Sequence, residues 1–138
     1  MGLDVSMAFA SKTESKVDAL LKYFNSIEGN WRDTGVLIPC IGEKVKVDDY
    51  FCFAIDLRNT YCSELIEYMS EVGTLGLLKD MDIYHQSTED TDYSYVNISE
   101  PESLSYTYFS DFWDKKAKDV NGISGALIDK IMVATRMY

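Results

Sequence analysis

Two hydrophobic periods, one helical and one extended, stand next to each other in the first 57 residues and restrict the chain to a mixed fold. Val17, Leu20, Leu21, Phe24 and Ile27 recur at helical spacing, which predicts a helix with one buried face. Ahead of it, Ser11-Lys12-Thr13-Glu14 reads as a capping box, with Glu14 bonding back to the Ser11 amide. Gly29 is a natural stop, because glycine takes the left-handed conformation that ends many helices. The period then falls to two. Lys44-Val45-Lys46-Val47 alternates, Asp48-Asp49 can turn the chain tightly, and Phe51, Phe53, Ile55 and Leu57 share one face of the next strand. Tyr50, Cys52, Ala54 and Asp56 share the other face.

The remaining elements follow from the same signals. Residues 3–10 read as a short first strand, and Val36-Leu37-Ile38 as more extended chain ahead of Pro39. Residues 60–72 predict a helix with Leu65, Ile66, Met69 and Val72 inward and Gly73 as its stop. Residues 75–84 read as a strand, 85–92 as a polar loop and 93–98 as another strand. Ser99-Glu100-Pro101-Glu102 offers a second capping box and favours a helix over residues 99–120, against a competing strand pattern at 104–109. Asn121-Gly122 breaks the chain. Ser124 then caps a last, mostly apolar helix carrying Ile123, Leu127 and Ile131. The expectation is one α+β domain over residues 1–138, with a small antiparallel sheet packed against about three to four helices. A chain of 138 residues can bury a real core without metals or disulfides.

Cys40, Cys52 and Cys62 are spaced by twelve and ten, which gives neither a disulfide framework nor a Cys-x-x-Cys metal clip. Cys40 and Cys52 lie among apolar neighbours and read as small buried hydrophobes. No stretch is long and apolar enough to span a bilayer, and no basic segment with an apolar run opens the chain. A reduced, cytoplasmic setting is expected. Gly2 and Ser6 match a myristoylation pattern, but no basic cluster supplies the second membrane signal. Asn97-Ile98-Ser99 is a glycosylation sequon with no export signal to give it meaning.

Charge is distributed unevenly. Residues 1–79 carry 12 acidic and 8 basic side chains, and residues 115–138 carry 2 acidic and 5 basic. Residues 80–114 carry 9 acidic side chains and no lysine or arginine. Such a stretch repels itself, which costs folding stability unless a partner offsets it. The same stretch holds Tyr84, Tyr93, Tyr95, Tyr106, Tyr108, Phe109, Phe112 and Trp113, and Tyr and Trp are enriched where interfaces store their energy.

Signals for chemistry are thin. His85 is the single histidine, so any histidine acid–base mechanism would run through it. Asp80-Met81-Asp82 and Asp90-Thr91-Asp92 have the spacing of a divalent-cation pair. With Ser94 the second pair begins like an EF-hand loop, but Tyr95 stands where the loop needs glycine and Pro101 where it needs the closing glutamate. Asp114-Lys115-Lys116 contains an acid-x-Lys element without a Pro-Asp partner upstream. No phosphate-cradling glycine loop or serine elbow occurs.

The expectation is therefore a non-catalytic binding protein that takes no cofactor and no metal. Its partner would be a basic protein, a nuclease or other nucleic-acid-binding effector, met by Asp80, Asp82, Tyr84, Glu89, Asp90, Asp92, Tyr93, Tyr95, Glu100 and Glu102. Carboxylates would replace phosphates against Arg and Lys, and tyrosines would anchor. Direct binding to nucleic acid or membrane is not expected, since no basic stripe exists; the chain would be a monomer or homodimer. Toxin-immunity proteins and phage anti-defence proteins, anti-CRISPR inhibitors among them, share this character. The alternatives are a small metal- or ligand-binding enzyme using the central carboxylates, and an oligomeric structural subunit.

Overall fold

The computed structural model describes residues 4–58, 62–79, 81–87, 94–97, 107–109, 130–131 and 133–135. Among them, seven strands form one sheet, and every pairing is antiparallel. The strands are β1 (Asp4–Ser11), β2 (Cys40–Ile41), β3 (Val45–Val47), β4 (Tyr50–Arg58), β5 (Asp82–Ser87), β6 (Ser94–Asn97) and β7 (Thr107–Phe109). Their order is β2–β4–β1–β5–β6–β7, with β3 also pairing with β4. Helices α1 (Glu14–Ile27), α2 (Trp31–Thr34) and α3 (Cys62–Glu71), a 3-10 helix (Leu75–Leu78) and a helical turn at residues 130–131 and 133–135 are also described. The fold is α+β.

One face of the sheet carries the main core. In register, Val5 faces Leu57, Met7 faces Ile55, and Phe9 lies between Phe53 and Ile83. Val17, Leu20, Phe24 and Ile27 of α1 pack onto these residues, joined by Leu65, Ile66 and Met69 of α3 and by Leu75 and Leu78. The helical stripe predicted for α1 is thus the stripe that faces the core, with Leu21 at its half-buried margin. Gly29 follows it with φ +76, the left-handed geometry that releases the chain from the helix.

The opposite face is buried too. Ala8, Ala10, Cys52, Ala54 and Tyr84 are all covered, and register puts Ala8 between Ala54 and Tyr84, and Ala10 beside Cys52. Small side chains on a sheet let a covering layer approach closely. Ile131, in a helical turn, is fully buried, and Lys130 lies 3.8 Å from Asp48. That ion pair brings the turn to the β3–β4 hairpin.

The hairpin is built as its sequence suggests. Val47 pairs with Tyr50, leaving Asp48-Asp49 as a two-residue turn in which Asp48 has φ +52. On the same edge of β4, Ile41 faces Ile55 and Val45 faces Cys52, so residues 42–44 oppose only 53–54. The extra residue is a bulge. Gly42 donates its amide to the Ala54 carbonyl there at 2.8 Å. Lys44, in the bulge, reaches Glu14 at 2.7 Å and Asp18 at 2.6 Å and ties the edge to α1.

Several expectations are corrected. Ser11 is the buried last residue of β1 and not a helix cap; Thr13 occupies that position, and its amide donates to the Ser11 hydroxyl at 3.1 Å. Glu14 has been drawn to Lys44 instead of back to the Ser11 amide. Residues 36–38 form no strand, although Val36 and Ile38 are buried. The expected strand at 75–84 divides into the 3-10 helix and the start of β5, because Leu75 and Leu78 reach the core from one helical face. His85 lies within β5, in register with Met7 and Ser94, and not in a loop. Residues 107–109 are strand where a helix was expected; the aromatic, β-branched sequence outweighs the capping box there. Cys40 is exposed, and Val72 turns outward beyond the buried face of α3. The rest of the expected helix over 99–120, and the start of the last helix, lie outside the described residues.

Candidate functional site

The acid-only stretch supplies three consecutive neighbours in the sheet, β5, β6 and β7. They extend the sheet on the far side of β1 from β4. Pairing sets Ile83 opposite Val96, Tyr84 opposite Tyr95 and His85 opposite Ser94; Tyr95 in turn faces Phe109 and Val96 faces Tyr108. Alternating β-branched and aromatic residues favour this pairing locally. A row of aligned positions therefore runs from Ala54 through Ala8, Tyr84 and Tyr95 to Phe109.

The expected contact residues do not share one environment. Asp82 opens β5 beside Ala10, half-buried, and its charge reaches Tyr50. Burial first, then the charges of Asp82 and Asp49, hold the Tyr50 phenol above its ordinary pKa. Tyr84 is fully buried, so its ring is not presented to solvent as an anchor; the covered second face of the sheet takes it inside. Tyr95 stands in β6 at the register position given above. Asp80, Glu89, Asp90, Asp92, Tyr93, Glu100 and Glu102 lie outside the described residues.

Outside this stretch the described surface has other features. Glu64, Glu67 and Glu71 are exposed at spacings of three and four along α3, which aligns them on one helical face. Glu14 and Asp18 are both engaged by Lys44, whose ammonium pKa is raised by Asp18 and then by Glu14. Trp31 is 51% exposed, with the Arg32 guanidinium 5.6 Å from its ring centre. Reading the sequence by its acidic segment passed over this Trp-Arg pair, although both residue types are typical of interface hot spots. Its position, directly after the Gly29-Asn30 break, was the available signal.

Groups that could carry covalent or metal chemistry are few among the described residues. The Cys52 thiol is buried, and burial pushes its pKa up to about 11, so it is neutral and shielded near neutral pH. No three His, Cys, Asp or Glu side chains among the described residues converge to hold a metal ion. No helix among them is long and apolar enough to cross a membrane.

The class these observations define is an α+β domain built on an antiparallel sheet buried on both faces around β1 and β4. Comparison with known protein families, with curated proteins and with solved structures finds no match for this chain.

Proposed function

We propose that this chain is a non-catalytic inhibitor that uses the β5–β6–β7 side of its sheet to cover the basic surface of a nucleic-acid-acting protein. The observation that carries the reading is charge segregation. Nine carboxylates and no lysine or arginine occupy residues 80–114, and the described strands of that stretch are adjacent in the sheet. Concentrating like charge in one part of a fold costs stability, and a cationic partner removes that cost on binding. Carboxylates then take the places of phosphates, and encounter is steered by complementary potential. The setting is cytoplasmic: a toxin nuclease held by its immunity protein, or a host defence effector held by a phage protein.

The test combines capture with competition. Tagged chain is incubated with lysate of its host, bound proteins are eluted in rising salt, and the eluted protein is assayed for nucleic-acid binding with and without the chain. The expected result is a basic protein, released as salt rises, that loses its nucleic acid when the chain is added. Reversing charge with Asp90→Lys and Asp92→Lys should slow association by about tenfold or more at low salt, with no loss of unfolding midpoint. Equal association by that double variant, or a partner that holds nucleic acid and the chain together, would refute the reading.

A further inference from the structure

Ile131 is fully buried, yet it does not belong to the cluster that joins α1, α3 and the 3-10 helix to the first face of the sheet. Among the described residues, the other apolar surface that can receive it is the second face, where Ala8, Ala10, Cys52 and Ala54 are buried. Thr135 lies one helical turn further on and is buried as well, whereas Val133 and Ala134 are exposed. Lys130 meets Asp48 at 3.8 Å, on the hairpin whose strands carry Cys52 and its pair Val45. We propose that the turn at residues 130–135 is a charge-latched cover on the second face, released when a polycation takes Asp48 and Asp49 from Lys130.

The hold is weak enough to be released. Both side chains of the Lys130–Asp48 pair are more than half exposed, and a pair so placed contributes little. Thr135 gives its hydroxyl to the Ile131 carbonyl at 2.8 Å, inside the turn and not to the sheet. The alanines and cysteine beneath each bury little apolar area. Charge favours the same arrangement. Residues 115–138 hold 5 basic and 2 acidic side chains, while residues 1–114 hold 8 basic and 21 acidic. The turn thus comes from the cationic end of the chain and rests on its anionic body, and a polycation brings many charges to Asp48-Asp49 where Lys130 brings one. The cover lies on the β3–β4 side of the sheet, away from β5–β7, so it does not depend on those strands meeting a partner.

Cys52 reports the opening. The full chain is treated with a maleimide for increasing times, and peptide mass spectrometry separates Cys52 from Cys62 and from the exposed Cys40, which serves as the reference for reagent strength. Cys52 should be labelled faster than global unfolding in urea accounts for, because the cover opens locally. Short polylysine should speed that labelling, and sodium chloride at matched ionic strength should speed it less. Lys130→Glu should label about fivefold faster without polylysine, from loss of one exposed pair and a repulsion of similar size, and should gain little when polylysine is added. Asp48→Asn with Asp49→Asn should also label faster, and asparagine accepts the left-handed backbone at Asp48. Cys52 labelling that only tracks global unfolding, a Lys130→Glu rate equal to that of the parent, or a polylysine response that survives in the paired asparagine variant would overturn the proposal.

Discussion

Phe24 is where α1 is seated on the sheet, and replacing it should show how much of the fold depends on that contact. Its ring is fully buried, with its centre 5.2 Å from that of Phe9 and 6.1 Å from that of Phe53; Phe9 and Phe53 are themselves 5.3 Å apart. Phe24→Ala removes the ring from this triad and leaves a cavity that the paired strands β1 and β4 cannot easily close. The expected cost is about 3–5 kcal/mol. At roughly 2–4 °C per kcal/mol for a chain near this size, the midpoint should drop by about 6–20 °C. Phe24→Leu keeps most of the apolar volume and loses the ring geometry, at about 0.5–1.5 kcal/mol for each of the two core pairs. Its loss should therefore be about 1–3 kcal/mol. Urea unfolding followed by circular dichroism and by fluorescence gives both values, provided the slope with denaturant is unchanged. Asn25→Ala, on the exposed side of the same helix, should stay within about 0.5 kcal/mol of the parent. An alanine cost below about 1.5 kcal/mol, or an Asn25 effect as large as that of Phe24, would mean that α1 does not cover this face.

Three further outcomes follow from single side chains. Because folding holds the Cys52 proton up to about pH 11 against an ordinary value of 9.0, stability should fall as pH rises through that window, where the unfolded chain has already lost the proton; Cys52→Ala should lack this part of the alkaline loss in paired urea titrations. Asp48 sits at φ +52, so Asp48→Gly should be nearly neutral while Asp48→Val costs about 1–2 kcal/mol, both read from thermal melts. Lys44→Met should lower stability at low salt, by a margin that shrinks as salt screens the contacts to Glu14 and Asp18. Since the folded ammonium pKa is raised, that margin should be full below the unfolded lysine value and vanish as pH climbs through the folded one.

The elements most legible in the sequence were those whose local signals agree. In α1 the apolar stripe and Gly29 point to the same helix, and in the β3–β4 hairpin the alternation and Asp48-Asp49 point to the same turn. Elsewhere two signals competed and packing chose between them. Ser11 has the chemistry of a cap, yet pairing with Phe51 keeps it in β1. Leu75, Leu77 and Leu78 suit either a strand or a helical turn, and the demand for Leu75 and Leu78 on one buried side selects the turn. Val72 fits the helical period but falls where α3 has run past the core. Of the candidate site, the charge segregation was plain from composition by segment. Burial of Tyr84 was not, because it depends on cover over Ala8, Ala10 and Ala54, residues small enough to be indifferent to exposure on their own. The contact of Lys130 with Asp48 joins residues about 80 positions apart in sequence, and local periodicity carries no information about such a meeting.

The placement of β1 has a consequence for how the protein is made. The strand that leaves the ribosome first among these seven becomes an inner strand, and both of its neighbours, β4 and β5, are translated later. At roughly 5–20 residues per second, the chain between Ser11 and Ser87 takes about 4–15 s to appear. Until Arg58 has been made, Met7, Phe9 and their neighbours have no strand to pair with, and until Ser87 they have one neighbour of two. The nascent chain must keep an apolar strand from straying until its second neighbour arrives, so assembly of the sheet is a late, long-range event and not a sequential one.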